Sequence, residues 1–495
     1  MFRQDQHKRS CRGRRSGLHR QLTLVGMMLC VVSFLLADEG PLPSGLTNET
    51  SMWQKQIDDV AAHGGGCVLV PKGRHLVSGL NLRSNVELHL DQGAVLEGDP
   101  DAKAYPIVDL PFSEGRWQAV VMGVSVTNVA ITGRGCIFGN GACFPMPAPF
   151  GPVSPDADLR PRGIFIGNST GIRLSDFTLK DAGSWGCVVQ CCSDVEIRSL
   201  VIDSHANLNN DGIDIEARHV VVADCDIDSG DDGICLKSNN PGFEMEDVLI
   251  TNCVVRSYCV PLKIGTATHG VVRNVAFRDC RIEAPRRDCR LPGSGRMMFG
   301  RDQGWERAMP GWKIGVSAAA SAIAVECVDG GAVEDVSFKD IKIEGGVMVP
   351  VFVRANRRMK RMCGTPRGDK NVLRRISFEN ITGFSVSGAP SSVSGIPSFR
   401  VCDVTFRNVH LTGLGCGDLK VPPVPECEDA TPSARMFGQG LPAYGLWARH
   451  IDGLALENTT FTLVAGMADS RPPVVQEDVS EFSQQGKTHK KEAKK

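Results

Sequence analysis

The chain has 495 residues and a hydrophobic content of 42%, enough for a large core in two or three ordinary domains or in one long repetitive one. Its formal net charge is −1 and no lysine–arginine stripe with interleaved aromatics runs through the body, which excludes a nucleic-acid binder. With 54 glycines and only 6% aromatic residues, the composition fits many short strands and turns better than packed helices.

The N-terminus is separable. A basic stretch from Lys8 to Arg20 precedes an apolar run from Leu22 to Ala37. A positive segment followed by an apolar run too short to span a bilayer comfortably predicts a secretory leader over residues 1–40, and hence a secreted or periplasmic protein. Leu35 stands where a small residue is preferred before a cut at Ala37, so an uncleaved membrane anchor is the competing reading. A short amphipathic helix is predicted over residues 51–63, with Trp53, Ile57, Val60 and Ala61 on one face, and Cys67 to Gly73 opens the first strand segment after it.

The body from 41 to 475 is a degenerate repeat. Val195-Glu196-Ile197, Val220-Val221-Val222, Val248-Leu249-Ile250 and Val275-Ala276-Phe277 each lead into a polar bend, and related copies follow at Val336, Ile376, Val404 and Leu454. Where insertions are absent the spacing is about 23 to 28 residues, within the range of solenoids. Each copy alternates apolar and polar residues like a half-buried strand, and Asn or Asp stands at the bend. A unit of this kind cannot bury its own apolar face and must stack on its neighbours. The expected fold is all-β, a right-handed single-stranded parallel β-helix with a short N-terminal capping helix. A β-propeller would need four strands per unit and hairpin turns, which the pattern lacks.

Insertions rich in Gly, Pro and Arg near 285–312 and 414–444 are expected to form loops over one face, and a basic, disordered tail is expected over 476–495. The chain has 19 cysteines. Cys225, Cys253 and Cys280 recur at one point of the repeat and read as small apolar residues stacked in the core, while Cys416–Cys427 is a candidate disulfide.

Two segments carry the chemistry: Asn209-Asn210-Asp211-Gly212-Ile213-Asp214 and Ser229-Gly230-Asp231-Asp232-Gly233-Ile234. They share the frame Asp-Gly-Ile, with Asp211 matching Asp232. A lone Asp-Gly is most often a turn. If the chain coils with this period, the two segments become neighbouring rungs and three carboxylates share one surface. Crowded carboxylates resist joint ionisation, so one is pushed towards keeping its proton beside ionised partners, the combination that glycosidic cleavage needs.

With these residues the chain resembles the polygalacturonase-type glycoside hydrolases, family 28, of the pectin-lyase-like β-helix. Asn209-Asn210-Asp211 matches the family's Asn-x-Asp motif, Asp231-Asp232 its Asp-Asp pair, and Ile131 to Gly141 is a further family-like stretch. The resemblance implies an inverting hydrolase of α-linked, pectin-related polysaccharide, with Asp231 as general acid and Asp211 and Asp232 holding and deprotonating the attacking water. Asn209 would orient the cluster or contact substrate. Two family motifs are absent: Val260 stands where the histidine of Gly-His-Gly falls, and Glu326 stands near the lysine of Arg-Ile-Lys. In the family those cations grip the galacturonate carboxylate, so homogalacturonan is a doubtful substrate here.

Lys237 and Lys263 are the leading substitute substrate-binding residues, followed by Lys313 and Arg354. His205 and His269 are candidates for the missing histidine, and Trp185 and Tyr444 for stacking on sugar rings. No cofactor and no metal is expected, the partner is a polysaccharide, and the chain is expected to be a monomer. Two alternatives stay open: a polysaccharide lyase on the same fold, with Lys263 or Lys237 as base and calcium on the acidic cluster, and a non-catalytic glycan-binding β-helix.

Overall fold

In the computed structural model the chain is described over residues 46–112, 117–145, 159–287, 318–360, 370–434, 436–437, 440–485 and 487–489. The leader and most of the 285–312 insertion lie outside the described residues, and no described helix is long and apolar enough to cross a membrane.

An α-helix spans Thr50–Ala62 and turns Trp53 and Ile57 inwards against the first coil. The carboxamide of Gln54 completes this cap: its Nε2 donates to the Asn81 carbonyl at 3.0 Å, and its Oε1 accepts from the Asn81 N–H at 2.8 Å. A side chain thereby satisfies backbone groups that the first coil would otherwise leave open at the edge of the sheet. The first strand, Gly66–Val70, follows.

From there the chain winds as a right-handed parallel β-helix, each strand pairing in parallel with its counterparts on the coils before and after. Period-two alternation sends every second side chain inwards, and the strict register turns those side chains into columns. On one sheet Ile164, Cys187, Ile213, Ile234, Leu262, Ile323 and Val351 stack in order. On another the column widens into Phe277, Phe338, Phe378 and Phe406, whose rings stack at centroid distances of 4.6, 5.4 and 4.7 Å. Cys225, Cys253 and Cys280 stack as expected, the Val254 N–H donating to the Cys225 carbonyl and the Arg281 N–H to the Cys253 carbonyl, each at 2.9 Å.

The Asn and Asp bends have a physical cause. Asp340, Asn380, Asn408 and Asn458 all adopt the left-handed conformation, with φ of 56°, 55°, 54° and 44°, which short polar side chains tolerate. Their side chains bond coil to coil, Asn380 to Asp340 at 2.8 Å, Asn408 to Asn380 at 3.0 Å and Asn458 to Asn408 at 2.7 Å.

Two expectations are corrected. The tail does not leave the solenoid at 476: Val474–Gln484 is a strand on the last coil, with Val479 over Ile451 and Phe482 over Leu454, and Lys487–His489 folds back against it antiparallel. This is a worn copy of the repeat, masked by its polar neighbours. Cys416 and Cys427 are not bridged, and all 15 described cysteines are free thiols. Cys416 Sγ instead lies 3.2 Å from Arg471 Nη2.

The phenylalanine column predicts a measurable cost. Phe338→Ala is expected to destabilise by about 3–5 kcal/mol, the range for emptying a buried aromatic site. The check is a lowered urea midpoint with an unchanged m-value.

Candidate active site

The Asp-Gly-Ile frames mark where one loop enters a strand. Gly186 N–H donates to the Asp211 carbonyl, Gly212 N–H to that of Asp232 and Gly233 N–H to that of Val260, each at 2.8 Å. Trp185, Asp211, Asp232 and Val260 therefore stand one above another on four successive coils. The glycines are needed for close packing. A Cβ on Gly212 would sit 2.5 Å from the Gly233 carbonyl oxygen, and one on Gly233 2.4 Å from a Val255 methyl. The Asp-Gly pairs are thus dictated by the stack and are not mere turn formers.

Asp231 sits beside Asp232 with its carboxyl half-buried, its Oδ1 accepting the Asp232 N–H at 2.9 Å. Asparagines brace the preceding loop. Asn210 donates to the Ala182 carbonyl at 2.9 Å and accepts from Asn207 N–H at 2.7 Å. Asn209, in the left-handed conformation at φ 56°, accepts from Arg160 Nη2 at 3.2 Å. Its structural role is therefore to orient the loop. Asn207 and Asn210 are supports that the motif reading passed over, although the run Asn207-Leu208-Asn209-Asn210 was the visible signal.

Beneath the carboxylates lies a layer of ion pairs. Lys237 Nζ lies 2.9 Å from Asp211 Oδ2, 2.8 Å from Asp214 Oδ1 and 4.2 Å from the centroid of Trp185. Lys263 Nζ lies 2.8 Å from Asp232 Oδ2. These arrangements leave Asp211 Oδ1 and Asp232 Oδ1 buried without a hydrogen-bond donor among the described residues. Asp214, read before only as part of a motif, is thus a fourth carboxylate of the cluster.

Burial, with the Asp211 and Asp232 carboxylates adding to it, pushes the Asp231 carboxyl up to about 7. Burial also raises Asp211 against the opposing pull of Lys237, and raises Asp214 well above the carboxylate range, with Asp211 adding to the effect. Burial carries Glu326 to about 7 as well, with Lys263 opposing. For Lys263 burial acts downwards, but Asp232 and Glu326 more than offset it and hold the ammonium well above its usual value. The site therefore combines a proton-bearing acid with carboxylates held by ammonium partners.

The other candidate site residues have partners of their own. Lys237 and Lys263 are committed to carboxylates, and Glu326 is 3% exposed. His205 is wholly buried, its Nε2 2.9 Å from Asp228 Oδ1 and its ring edge-on to Tyr258. His269 bonds the Lys360 carbonyl at 2.8 Å. Arg354 ties the inserted loop to the adjoining coil, donating to the Cys427 carbonyl of the loop at 3.2 Å and to the Gly395 carbonyl of the coil at 2.8 Å. Lys313 lies outside the described residues. Tyr444 packs against the core, whereas Trp185 stays half-exposed beside Asp211.

Oxygens of Asp231 and Asp232 and the Cys259 sulfur lie within 4.8 Å of one another, a group that could present three metal ligands. The Lys263 ammonium already occupies one Asp232 oxygen, and burial with Asp232 and Asp231 drives the Cys259 thiol well above its usual value. A protonated thiol and a resident ammonium suit proton transfer better than cation binding.

The polar patch is short. One outward column runs Met122, Phe165, Val188, Asp214, Cys235, Lys263, Ala324 and Phe352. Before it, Trp117 stacks on Phe165 at 4.6 Å and meets Trp185 at 5.3 Å. After it, Val260, Ala324, Phe352 and Trp447 join Phe437, Leu441 and Ala443 of the 414–444 insertion in a second apolar cluster.

The ion-pair layer can be tested directly. Lys237→Met leaves two buried carboxyls without their ammonium and is expected to cost roughly 3–5 kcal/mol at pH 7.5. The loss should shrink at pH 5, because protonation below the raised carboxyl pKa values removes the stranded charge. Urea denaturation at the two pH values checks this; an equal loss at both would assign the effect to packing alone.

Comparisons with known proteins agree with this architecture. Residues 65–293 match the model of glycosyl hydrolases family 28. Among solved structures, the exopolygalacturonase from Thermotoga maritima is 19% identical with a TM-score of 0.58, over 84% of this chain and 88% of that one. The family 28 exopolygalacturonase from Yersinia enterocolitica is 17% identical with a TM-score of 0.62, over 90% of this chain and 76% of that one. At such identities the two structures speak for the fold. No curated protein matches the chain. Asp211, Asp214, Asp231, Asp232 and both lysines lie within residues 65–293, the part of the chain that matches the model of glycosyl hydrolases family 28.

Proposed function

We propose that this chain is an exported glycoside hydrolase that cleaves an α-glycosidic bond of a pectin-related polysaccharide with inversion at the anomeric carbon. The observation that carries the reading is the state of the cluster: Asp231 holds a proton to about 7 beside Asp211 and Asp232, each tied through one oxygen to an ammonium. Asp231 protonates the leaving oxygen. Asp211 and Asp232 hold the attacking water and take its proton.

Coils about 4.8 Å apart bring side chains on neighbouring rungs towards the roughly 6.5–9.5 Å separation of an inverting acid and base. The pectic substrate class is supported by the family 28 segment and by fold neighbours that are exopolygalacturonases. The apolar covers on both sides of the patch favour attack near a chain end. Export rests on the basic and apolar N-terminal leader.

A lyase would need an unprotonated lysine as base. Lys263, held well above its usual value between Asp232 and Glu326, speaks against that.

Reducing-end release from pectic and algal polysaccharides tests the reaction, with the anomeric configuration of the first product read by NMR. Asp231→Asn is expected to lower turnover by about 10²–10⁴-fold, the usual contribution of a general acid. Release that survives this substitution would move the acid elsewhere, and a retained configuration would rule out inversion.

The wild-type rate is expected to fall on the alkaline side with a pKa near 7, because the catalytic form of Asp231 is the protonated one. A rate that stays flat from pH 6 to 9 would contradict that assignment.

A further inference from the structure

We propose that the sugar residue whose glycosidic bond is cleaved is uncharged: a neutral hexose, pentose or deoxyhexose unit of the polysaccharide, not a uronate. The inference rests on the hydrolase reading above and narrows its substrate.

It follows from how charge is distributed around the site. Five carboxyls, of Asp211, Asp214, Asp231, Asp232 and Glu326, meet two ammoniums, and both ammoniums are engaged. Lys237 lies between Asp211 and Asp214 at 2.9 and 2.8 Å, and Lys263 is on Asp232 at 2.8 Å with Glu326 as its second carboxyl neighbour. A substrate carboxylate brought here would find each nearby ammonium among the described residues already matched, so it would lose its water without gaining a charge-assisted bond.

The neighbouring guanidiniums among the described residues do not change this. Arg162 is 4% exposed and stacks over Trp117 at 4.3 Å. Arg160 is 3% exposed and is bound to Asn207 and Asn209. Arg354 holds the inserted loop, and Arg358 pairs with Asp329 at 2.9 Å.

The coil after Asp232 turns apolar, with Val260 directly above it and Ala324 next to Lys263 in the outward column. Glu326 is therefore a specificity-determining residue: buried on the coil after Lys263, it is the second carboxyl whose charge acts on that ammonium.

The test uses the full-length protein on intact pectic and algal polysaccharides, together with polygalacturonate and its carboxyl-reduced counterpart. New reducing ends are labelled with borodeuteride, the products are hydrolysed to single residues, and the labelled residue is identified. The expected result is label in a neutral alditol, with labelled aldonic acid about tenfold or more below it, the scale of one uncompensated charge near the site. Label chiefly in aldonic acid would overturn the neutral residue and leave the hydrolase reading standing. No label from any glycan would overturn the hydrolase reading, and this inference with it.

Discussion

In-register hydrogen bonding from coil to coil is the constraint on which the rest of this structure depends. A strand in a parallel solenoid has no partner within its own coil, so its N–H and C=O groups are satisfied only by the coils above and below. That requirement locks the register, and a locked register turns residue types into columns. Inward columns must be apolar without interruption, and they are, from Ile164 to Val351 on one sheet and through four phenylalanines on another. Outward columns are free of that demand, and on three coils the chain uses the freedom to set Asp214, Cys235 and Lys263 in line.

Stacking acidic residues at the spacing of adjacent coils has an electrostatic cost, which grows as the side chains are covered. The ammoniums of Lys237 and Lys263 offset part of it by contact with Asp211, Asp214 and Asp232. Protonation offsets the remainder, which is why Asp231 and Glu326 lie near 7. These raised carboxyls bind more protons in the folded chain than in the unfolded one. Their contribution to stability is complete below the ordinary carboxylate range and declines as pH rises towards about 7. The protonated acid is thus a consequence of burial, and the Lys237 ammonium opposes the same effect at Asp211 and Asp214.

The apolar clusters on either side give this patch its extent. Trp117, Phe165 and Trp185 form one border, and the 414–444 insertion lays Phe437, Leu441 and Ala443 over Phe352 and Trp447 to form the other. The insertion is fixed by Arg354, whose guanidinium spends its donors on carbonyls of that loop and of the adjoining coil. A residue type that suits anion binding is here a structural anchor.

By itself the sequence determined the solenoid and the carboxylate motif. The repeat of Val, Ile and Phe with Asn or Asp at the bend is a local pattern, and so is Asp-Gly-Ile. Tertiary structure decided the partners. Lys237 meets Asp211 and Asp214 on the preceding coil, and Lys263 meets Asp232 some thirty residues before it, so no local window holds both members of either pair. The same limit hid the last strand, where only Val479 and Phe482 keep the inward pattern and their register on Ile451 and Leu454 supplies the rest. Backbone periodicity is written residue by residue, whereas charge pairing depends on which coils come to lie against each other.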